Sequence, residues 1–283
     1  AVLLEGKIRE VIDLFIVWGM INPLDANETL ETTLYGLRVS QLYLDPETAA
    51  TLAEGLVTAL EKFRTKIHPI ALLDLIVGTP DMIELSFQKR DEKKTEERLN
   101  RFASKLIDDV PDPMDIEFEF RLRDFKTTLF LWDWIREAPI ERLIMRYNIG
   151  SGDIRRVVET ATWIVSALAE ISELKTRENN SFKGLTKRAQ SLSERTLYGI
   201  KSDAVSLTRV KGIGRKRARI LLDHGIRNLT QLSSQSISKL KQIPGFGEEL
   251  AKSLLESAKS SIESVELQDK ATISDSALND YIH

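Results

Sequence analysis

The sequence predicts a mainly α-helical protein, in which a helical bundle follows a small β-wing and precedes a tandem helix-hairpin-helix domain. Three observations lead to this prediction. A short pattern built on Gly-x-Gly occurs twice, at residues 207–222 and 240–255. Most of the chain before it carries apolar residues at helical spacing, in runs separated by Pro and Gly. A turn-rich stretch at 22–27 is flanked by residues that favour short strands.

The first 44 residues are interpreted as the end of a winged-helix domain. Apolar residues between Leu4 and Trp18 recur at helical spacing, and Gly19 ends the run. The strand-forming stretches on either side of 22–27 then predict a two-stranded wing. Because the chain begins without Met and inside a predicted helix, we expect it to be a piece of a longer protein.

Residues 45–180 are predicted to form a helical domain. Asp45 is a good N-cap and Pro46 suits the first helical position. The spacing predicts helices at about 46–63, 69–77, 91–107, 117–137, 139–147 and 153–173. The stretch from Lys89 to Asn100 is dense in charges of both signs, which favours a solvated helix with many ion pairs.

Residues 181–260 are assigned to the hairpin domain and 261–283 to a polar tail. Both copies of the repeated pattern read h-x-x-h-x-G-h-G-x-x-x-A-x-x-h-h, where h is apolar. The Gly-h-Gly turn allows the backbone to fold tightly, and the small Ala allows two helices to approach each other. Amides at the start of the second helix then face outward, where they can bind a phosphate group. Two matches in register favour binding to a nucleic-acid backbone.

The two copies differ in charge. The second helix of the first copy begins with a basic run, although cations there oppose the helix dipole, and phosphate binding would explain them. The second copy has Glu248 and Glu249 at the corresponding places, which would repel a phosphodiester. The alternative for the first copy is a merely solvated basic face. The predicted phosphate-binding residues are Lys211, Gly212, Gly214, Arg215, Lys216, Arg217 and Arg219.

The helix that follows Gly152 presents an Arg and a Trp on one line. At about 100° per residue, Arg156 and Trp163 lie within roughly 20° of each other and almost opposite the helix's apolar stripe. Both side chains are flat and could stack on unpaired bases, about 10 Å apart at 1.5 Å rise per residue. The alternative, equally compatible with the periodicity, is that another domain covers Trp163 as ordinary packing.

Composition excludes several kinds of site. The chain has no Cys, so disulfides, Cys-based zinc sites and thiol catalysis are excluded, and its three His are widely scattered. The formal net charge is −3, so a nucleic-acid surface has to be a local patch. No apolar run is long enough to span a bilayer.

With these motifs, the chain resembles the C-terminal part of an archaeal Hjm-type DNA helicase, from the Ski-two-like group of superfamily two that includes animal HELQ. The stretches that carry the resemblance are 36–50, 72–82, 126–134, 152–163 and the tandem hairpins. In such helicases, two motor domains, a winged helix, a helical ratchet domain and a helix-hairpin-helix domain enclose single-stranded DNA. The ratchet helix stacks an Arg and an aromatic residue on bases, a role that the resemblance assigns to Arg156 and Trp163.

The resemblance implies a region that binds single-stranded and branched or forked DNA within a 3′–5′ ATP-dependent helicase of fork repair and recombination. Its partners would include the motor domains of the same polypeptide, which would use ATP and magnesium. No phosphate loop of the form G-x-x-x-x-G-K-[ST] occurs in the sequence, so we expect no cofactor, no catalytic or metal site, and no ATPase or helicase activity of this stretch alone. The alternative is a protein-interaction module of an RNA- or DNA-remodelling Ski-two-like helicase.

Two further expectations concern the cellular location and the C-terminal tail. The resemblance to archaeal helicases implies a cytoplasmic, nucleoid-associated protein. In the tail, the residues from Asp275 to Ile282 resemble a sliding-clamp-binding peptide in degenerate form, because the leading Gln and a second aromatic are missing. The alternative to the sliding clamp as a partner is a tail without that function, and the missing residues favour this alternative.

Overall fold

The structure, a computed structural model, describes residues 2–24, 29–64 and 66–260. It confirms the predicted mainly α-helical class. The helices of the first part, α1 to α9, are Val2–Val17, Leu34–Gln41, Pro46–Phe63, Pro69–Val77, Glu92–Phe102, Ile116–Trp134, Ile140–Tyr147, Ser151–Glu178 and Lys183–Tyr198. The helices of the hairpin part are α10 (Val205–Thr208), α11 (Arg215–Asp223), α12 (Leu229–Ser233), α13 (Ile237–Leu240) and α14 (248–260). None of the described helices is long and apolar enough to cross a membrane.

The predicted wing is present directly after α1. Strands β1 (Ile21–Pro23) and β2 (Leu30–Thr32) pair in antiparallel register, with Ile21 opposite Thr32. Thr33 then caps α2, because its hydroxyl accepts a hydrogen bond from the amide of Gly36 and donates to the carbonyl of Gly19 at 2.7 Å. The Thr33 side chain thereby links the start of α2 to the residue that follows α1 and precedes the wing.

The chain divides into two compact units. The first comprises residues 1–134 and 138–197, and the second comprises 135–137 and the residues from 198 onward. The sequence interpretation placed the boundary near residue 180, whereas α9 lies with the helical bundle. A hydroxyl cluster explains this grouping, because Thr186 on α9 lies 2.8 Å from both Ser172 and Thr176 on α8. The polar tail assigned to 261–283, with its clamp-like peptide, lies outside the described residues.

The core of the first unit lies between α3, α4, α6 and α8. Aromatic residues of α6 contribute to this core, and Phe125 and Phe130 are fully buried there. Phe120 is the exception at 56% exposed. A buried ion pair joins α4 to α6, because the guanidinium of Arg121 donates to both oxygens of Asp74 at 3.0 and 2.6 Å. These contacts make the bundle a firm support for α8.

Candidate nucleic-acid interface

Both predicted hairpins are present, and their backbone geometry repeats. In the first, the amide of Ile213 donates to the carbonyl of Val210 at 3.0 Å, and the amide of Ala218 donates to Gly214 at 3.0 Å. The second hairpin has the same two bonds 33 residues later, from Phe246 to Ile243 at 3.1 Å and from residue 251 to residue 247 at 2.9 Å. The tandem helix-hairpin-helix prediction is therefore confirmed at the level of individual hydrogen bonds.

The first glycine of each turn explains why the pattern requires that residue. Gly212 has φ of +92° and Gly245 has φ of +84°, a region that side chains with a Cβ disfavour. The apolar positions on either side point inward and form one shared core. Its members from the two patterns include Leu207, Val210, Ile213, Ala218, Leu221, Leu240, Ile243, Phe246, Ala251 and Leu254.

Three of the predicted phosphate-binding cations of the first hairpin face solvent. Lys211 lies in the turn and Lys216 and Arg217 lie in the first turn of α11, and all three residues are exposed. The guanidinium of Arg217 donates to the carbonyl of Gly212 at 2.6 Å, which holds it over the glycine turn. The amides of a first helical turn have no partner within their own helix. These groups together form a surface suited to a phosphate.

Arg219, although predicted for phosphate binding, is engaged by two carboxylates of its own unit. Its guanidinium donates to both oxygens of Glu137, at 2.9 and 2.5 Å, and to both oxygens of Asp203, each at 3.0 Å. The side chain of Glu137 is only 12% exposed. Burial alone would raise the pKa of Glu137, but hydrogen bonds from Arg219 and from the backbone of Lys201 lower it.

Arg215 also differs from the three exposed cations, because it is half-buried. Burial lowers the pKa of its guanidinium, and nearby Glu137 opposes that change. The structure thus brings Lys211, Lys216 and Arg217 together at the outward turn, and it does not place Arg219 there as a free cation.

The acidic residues of the second hairpin are held by lysines. Glu248 accepts a hydrogen bond from Lys241 at 2.8 Å, and Lys252 lies 3.4 Å from it. The hydrogen bond from Lys241 is the main cause of a lowered pKa of Glu248. Glu249 lies 3.7 Å from the same Lys252. The lysines of the second hairpin therefore face its own carboxylates.

On α8, Arg156 and Trp163 lie along one line as predicted, but the two side chains differ in exposure. Arg156 is exposed, whereas Trp163 is half-buried and its indole N–H donates to the carbonyl of Leu42 at 3.0 Å. Further along the same face, Glu170 pairs with Arg38 of α2 at 2.6 Å. Because α2 covers this face from Trp163 onward, the open part of the line runs from the start of α8 to the indole.

Arg156 borders a shallow cavity of about 170 Å³. Its other lining residues come from the loop at 83–86, from the end of α7 and from the start of α8, and they include Asn148 and Asp153. Asp153 accepts a hydrogen bond from the amide of Gly150 at 3.1 Å, and this bond fixes the beginning of α8. The guanidinium is thus presented at the edge of a preformed concave surface.

Tyr43 is a candidate that the sequence interpretation missed. Its ring is 87% exposed, and its φ is 57°, which is unusual for a residue other than Gly or Asn. It follows α2 at the left-handed position that commonly ends a helix, because the amide of Leu44 donates to Val39 at 3.4 Å and that of Tyr43 to Ser40 at 3.1 Å. The residue before it, Leu42, holds the indole of Trp163. Only this tertiary neighbourhood identifies Tyr43, since its sequence context gives no periodic signal.

Among the described residues, no group of three or more His, Asp or Glu side chains could hold a metal ion.

Comparisons with known proteins agree with the two units. Residues 70–199 match the family model described as archaeal helicase, domain 4, and residues 204–260 match that of a SAM-like helix-hairpin-helix tandem. The ATP-dependent DNA helicase Hel308 of Methanocella arvoryzae is 37% identical over 229 residues, which are 80% of this chain and 30% of that protein. Hel308 of Pyrococcus horikoshii is 29% identical over 270 residues, which are 95% of this chain and 36% of that protein.

The chain therefore spans about a third of the length of the relatives that it matches. The match to domain 4 covers α4 to α9, including Arg156 and Trp163, and the tandem match covers both hairpins. The resemblance predicted from the motifs is confirmed: the chain belongs with the archaeal Ski2-like helicases of the Hel308 type, as a part that carries domain 4 and the helix-hairpin-helix tandem.

Proposed function

We propose that the chain is the single-strand- and branched-DNA-binding region of a 3′–5′ ATP-dependent helicase that acts in replication-fork repair and recombination. The observation that carries the proposal is the first hairpin, where exposed Lys211, Lys216 and Arg217 surround a glycine turn and a helix start. The Hel308 relatives are ATP-dependent DNA helicases, which supports the same class. The remaining parts of this proposal, which are forked substrates, motor domains that use ATP and magnesium, and a cytoplasmic, nucleoid-associated setting, follow from that class.

In this proposal, α8 supplies base contacts and the first hairpin supplies phosphate contacts. Arg156 and Trp163 each stack on an unpaired base, and exposed Tyr43, which follows the residue that accepts from the indole, offers a third flat surface. Lys211, with the other two exposed cations, binds the backbone without regard to sequence. Arg219 acts indirectly, by holding α11 through Glu137.

An electrophoretic-shift comparison of single-stranded, duplex and forked DNA tests the proposal. We expect single-stranded and forked DNA to bind more tightly than duplex, because stacking requires unpaired bases. Three phosphate contacts from the hairpin should contribute about −2 to the slope of log K against log salt, at roughly 0.7 per contact on a single strand. Equal affinity for all three DNAs would contradict the base-stacking role.

The second candidate function is a protein-interaction module, and the acidic second hairpin favours it. Glu248 and Glu249 occupy the positions at which phosphate would bind, and their lysine neighbours face them. A protein-docking surface with few phosphate contacts would respond weakly to salt. The same titration against ionic strength therefore separates the two functions.

A further inference from the structure

A second basic surface lies in the first unit. A cavity of about 860 Å³ opens between α5, the middle of α6 and the end of α7. Six basic side chains line it, whereas Asp91, Glu97 and the adjoining Asp133 are the carboxylates that face them. The basic residues are Arg90, Lys94, Arg98, Lys126, Arg142 and Arg146.

The floor of this cavity is a fixed network with surplus positive charge. Arg98 donates to both oxygens of Asp133, at 3.1 and 2.9 Å, and Arg146 donates to one of them at 2.6 Å. The Tyr147 hydroxyl donates to Asp133 at 2.7 Å and accepts from Arg98 at 3.0 Å. Although burial would raise the pKa of Asp133, the hydrogen bonds from these neighbours lower it. One carboxylate thus serves two guanidinium groups.

Of the four remaining cations, one is neutralised by a carboxylate and three are available to bind an anion. Lys126 is 3% exposed and is neutralised by Asp91, at 2.7 Å. Arg90, Lys94 and Arg142 are exposed at the rim, and they form no ion pair with any residue in the described part of the chain. The sequence predicted many ion pairs in the charged stretch from Lys89 to Asn100. Arg90 and Lys94 of that stretch form none with the described residues. A concave site with a rigid floor and free cations at its rim suits an extended polyanion.

The position of the cavity indicates which polyanion it binds. Asn148 lines both this cavity and the smaller one that holds Arg156. Asn148 has φ of 52° and ends α7, so the two concave surfaces meet at the turn into α8. A strand that stacks on Arg156 can therefore continue into the basic cavity without leaving the surface of the first unit.

We propose that the phosphate groups of the same single strand bind in the cavity between α5, α6 and α7, at Arg90, Lys94 and Arg142. This inference rests on the proposed function, because it extends the path of a strand already bound at α8. It makes the first unit a binder of both bases and backbone, independently of the hairpins.

The test is the salt dependence of binding to fluorescently labelled oligo(dT), measured by anisotropy on the full chain. The variant Arg90→Ala/Lys94→Ala/Arg142→Ala should reduce the magnitude of the salt slope by about 2, at roughly 0.7 per phosphate contact. Extrapolated from 1 M, that change corresponds to an affinity loss of about 100-fold at 0.1 M salt. The urea midpoint should stay unchanged, because exposed cations contribute little to stability.

A matched control removes the same charge from the same region. Lys89, Lys93 and Arg101 are exposed and do not line the cavity. Their triple Ala variant has the same net charge as the cavity variant and should retain most of the affinity.

If both triple variants lose affinity equally, the effect is one of net charge and the cavity proposal is overturned. If neither changes the slope while the unmodified chain binds oligo(dT), the cavity proposal fails alone, and an anionic partner of another class, such as an acidic peptide, becomes the candidate. If the unmodified chain does not bind oligo(dT), the proposed function fails as well.

Discussion

Separate replacements of Arg219 and Arg217, which both lie on α11, should show that Arg219 contributes to stability and Arg217 to DNA binding. Arg219 donates four hydrogen bonds to Glu137 and Asp203, and Glu137 is nearly covered. In Arg219→Ala the Glu137 carboxylate loses its main partner, and hydrogen bonds to charged groups are worth about 1.5–3 kcal/mol. Because Asp203 and Arg219 keep partial access to water, we expect a loss of about 1–3 kcal/mol in the free energy of unfolding.

Arg217→Ala is the matched variant, since it removes the same side chain two residues earlier on an exposed position. Arg217 donates one hydrogen bond to the Gly212 carbonyl at an exposed site, so its replacement should lower the free energy of unfolding by no more than about 0.5 kcal/mol. Its DNA affinity should fall instead, and the salt slope should decrease by about 0.7. Arg219→Lys should recover part of the stability, because it keeps the charge but not the forked geometry.

Urea unfolding followed by circular dichroism measures the change in stability. Tryptophan fluorescence provides an internal reference, because all the Trp residues of the chain lie in the first unit, at 18, 132, 134 and 163. Arg219→Ala should therefore lower the urea midpoint of the second unit, which circular dichroism reports, relative to the fluorescence midpoint of the first unit. The reasoning is refuted if Arg217→Ala destabilises the protein as much as Arg219→Ala does.

The same ion pair sets a pH dependence. Arg219 contributes to lowering the pKa values of both Glu137 and Asp203 below their ordinary values. The stability gained from a lowered carboxyl pKa is present above the unfolded pKa and is lost as the pH falls through the folded one. Stability of the second unit should therefore fall under acidic conditions below about pH 4.5, the ordinary Glu value, and Arg219→Ala should show a weaker fall.

Three further outcomes are expected. Trp163→Ala should weaken single-strand binding by roughly 5- to 150-fold. It should also lower the free energy of unfolding by about 1–3 kcal/mol, because the hydrogen bond to Leu42 is lost. Trp163→Phe should keep most of the affinity, and unchanged oligo(dT) affinity in the Ala variant would exclude stacking. Tyr43→Gly should retain or raise the urea midpoint, because Gly suits its φ, while it weakens oligo(dT) binding, and Tyr43→Phe should bind like the unmodified chain. Burial, with the neighbouring Glu84 carboxylate, raises the pKa of Asp124 to about 6. The stability that this group contributes is therefore greatest below its ordinary pKa and falls as the pH rises through 6. Asp124→Asn should make the urea midpoint less dependent on pH over that range, and an unchanged pH profile would contradict the assignment.

Backbone features were predictable from sequence to the extent that they depend on local residues. The positive φ of Gly212 and Gly245 is encoded by the glycines themselves, and the wing follows from short strand-forming segments beside a turn. Helix starts such as Pro46 and Pro69 were located because proline restricts the first turn. Local chemistry fixes these elements before any tertiary contact forms.

Side-chain roles were less predictable, because their partners are distant in sequence. Glu137 lies 82 residues before Arg219, and Leu42 lies 121 residues before Trp163. Helical periodicity correctly placed Trp163 opposite the apolar stripe of α8, but it could not show that a helix end near residue 42 holds the indole. Similarly, the hydroxyl cluster around Thr186 joins α9 to the bundle through contacts that no spacing rule reports.

The divergence of the two hairpins follows from how their core is shared. The apolar positions of both patterns pack into one core, and the Cβ of a residue other than Gly at position 212 would lie 3.6 Å from Leu254 of the second copy. The folding of either hairpin therefore depends on the apolar residues of both, whereas the charges around each turn lie outside this core. Glu248 can then be held by Lys241 at one turn while Arg217 stays exposed at the other. Because the shared core supports both turns, the phosphate binding proposed for the basic hairpin requires no matching charge at its acidic neighbour, which supplies packing.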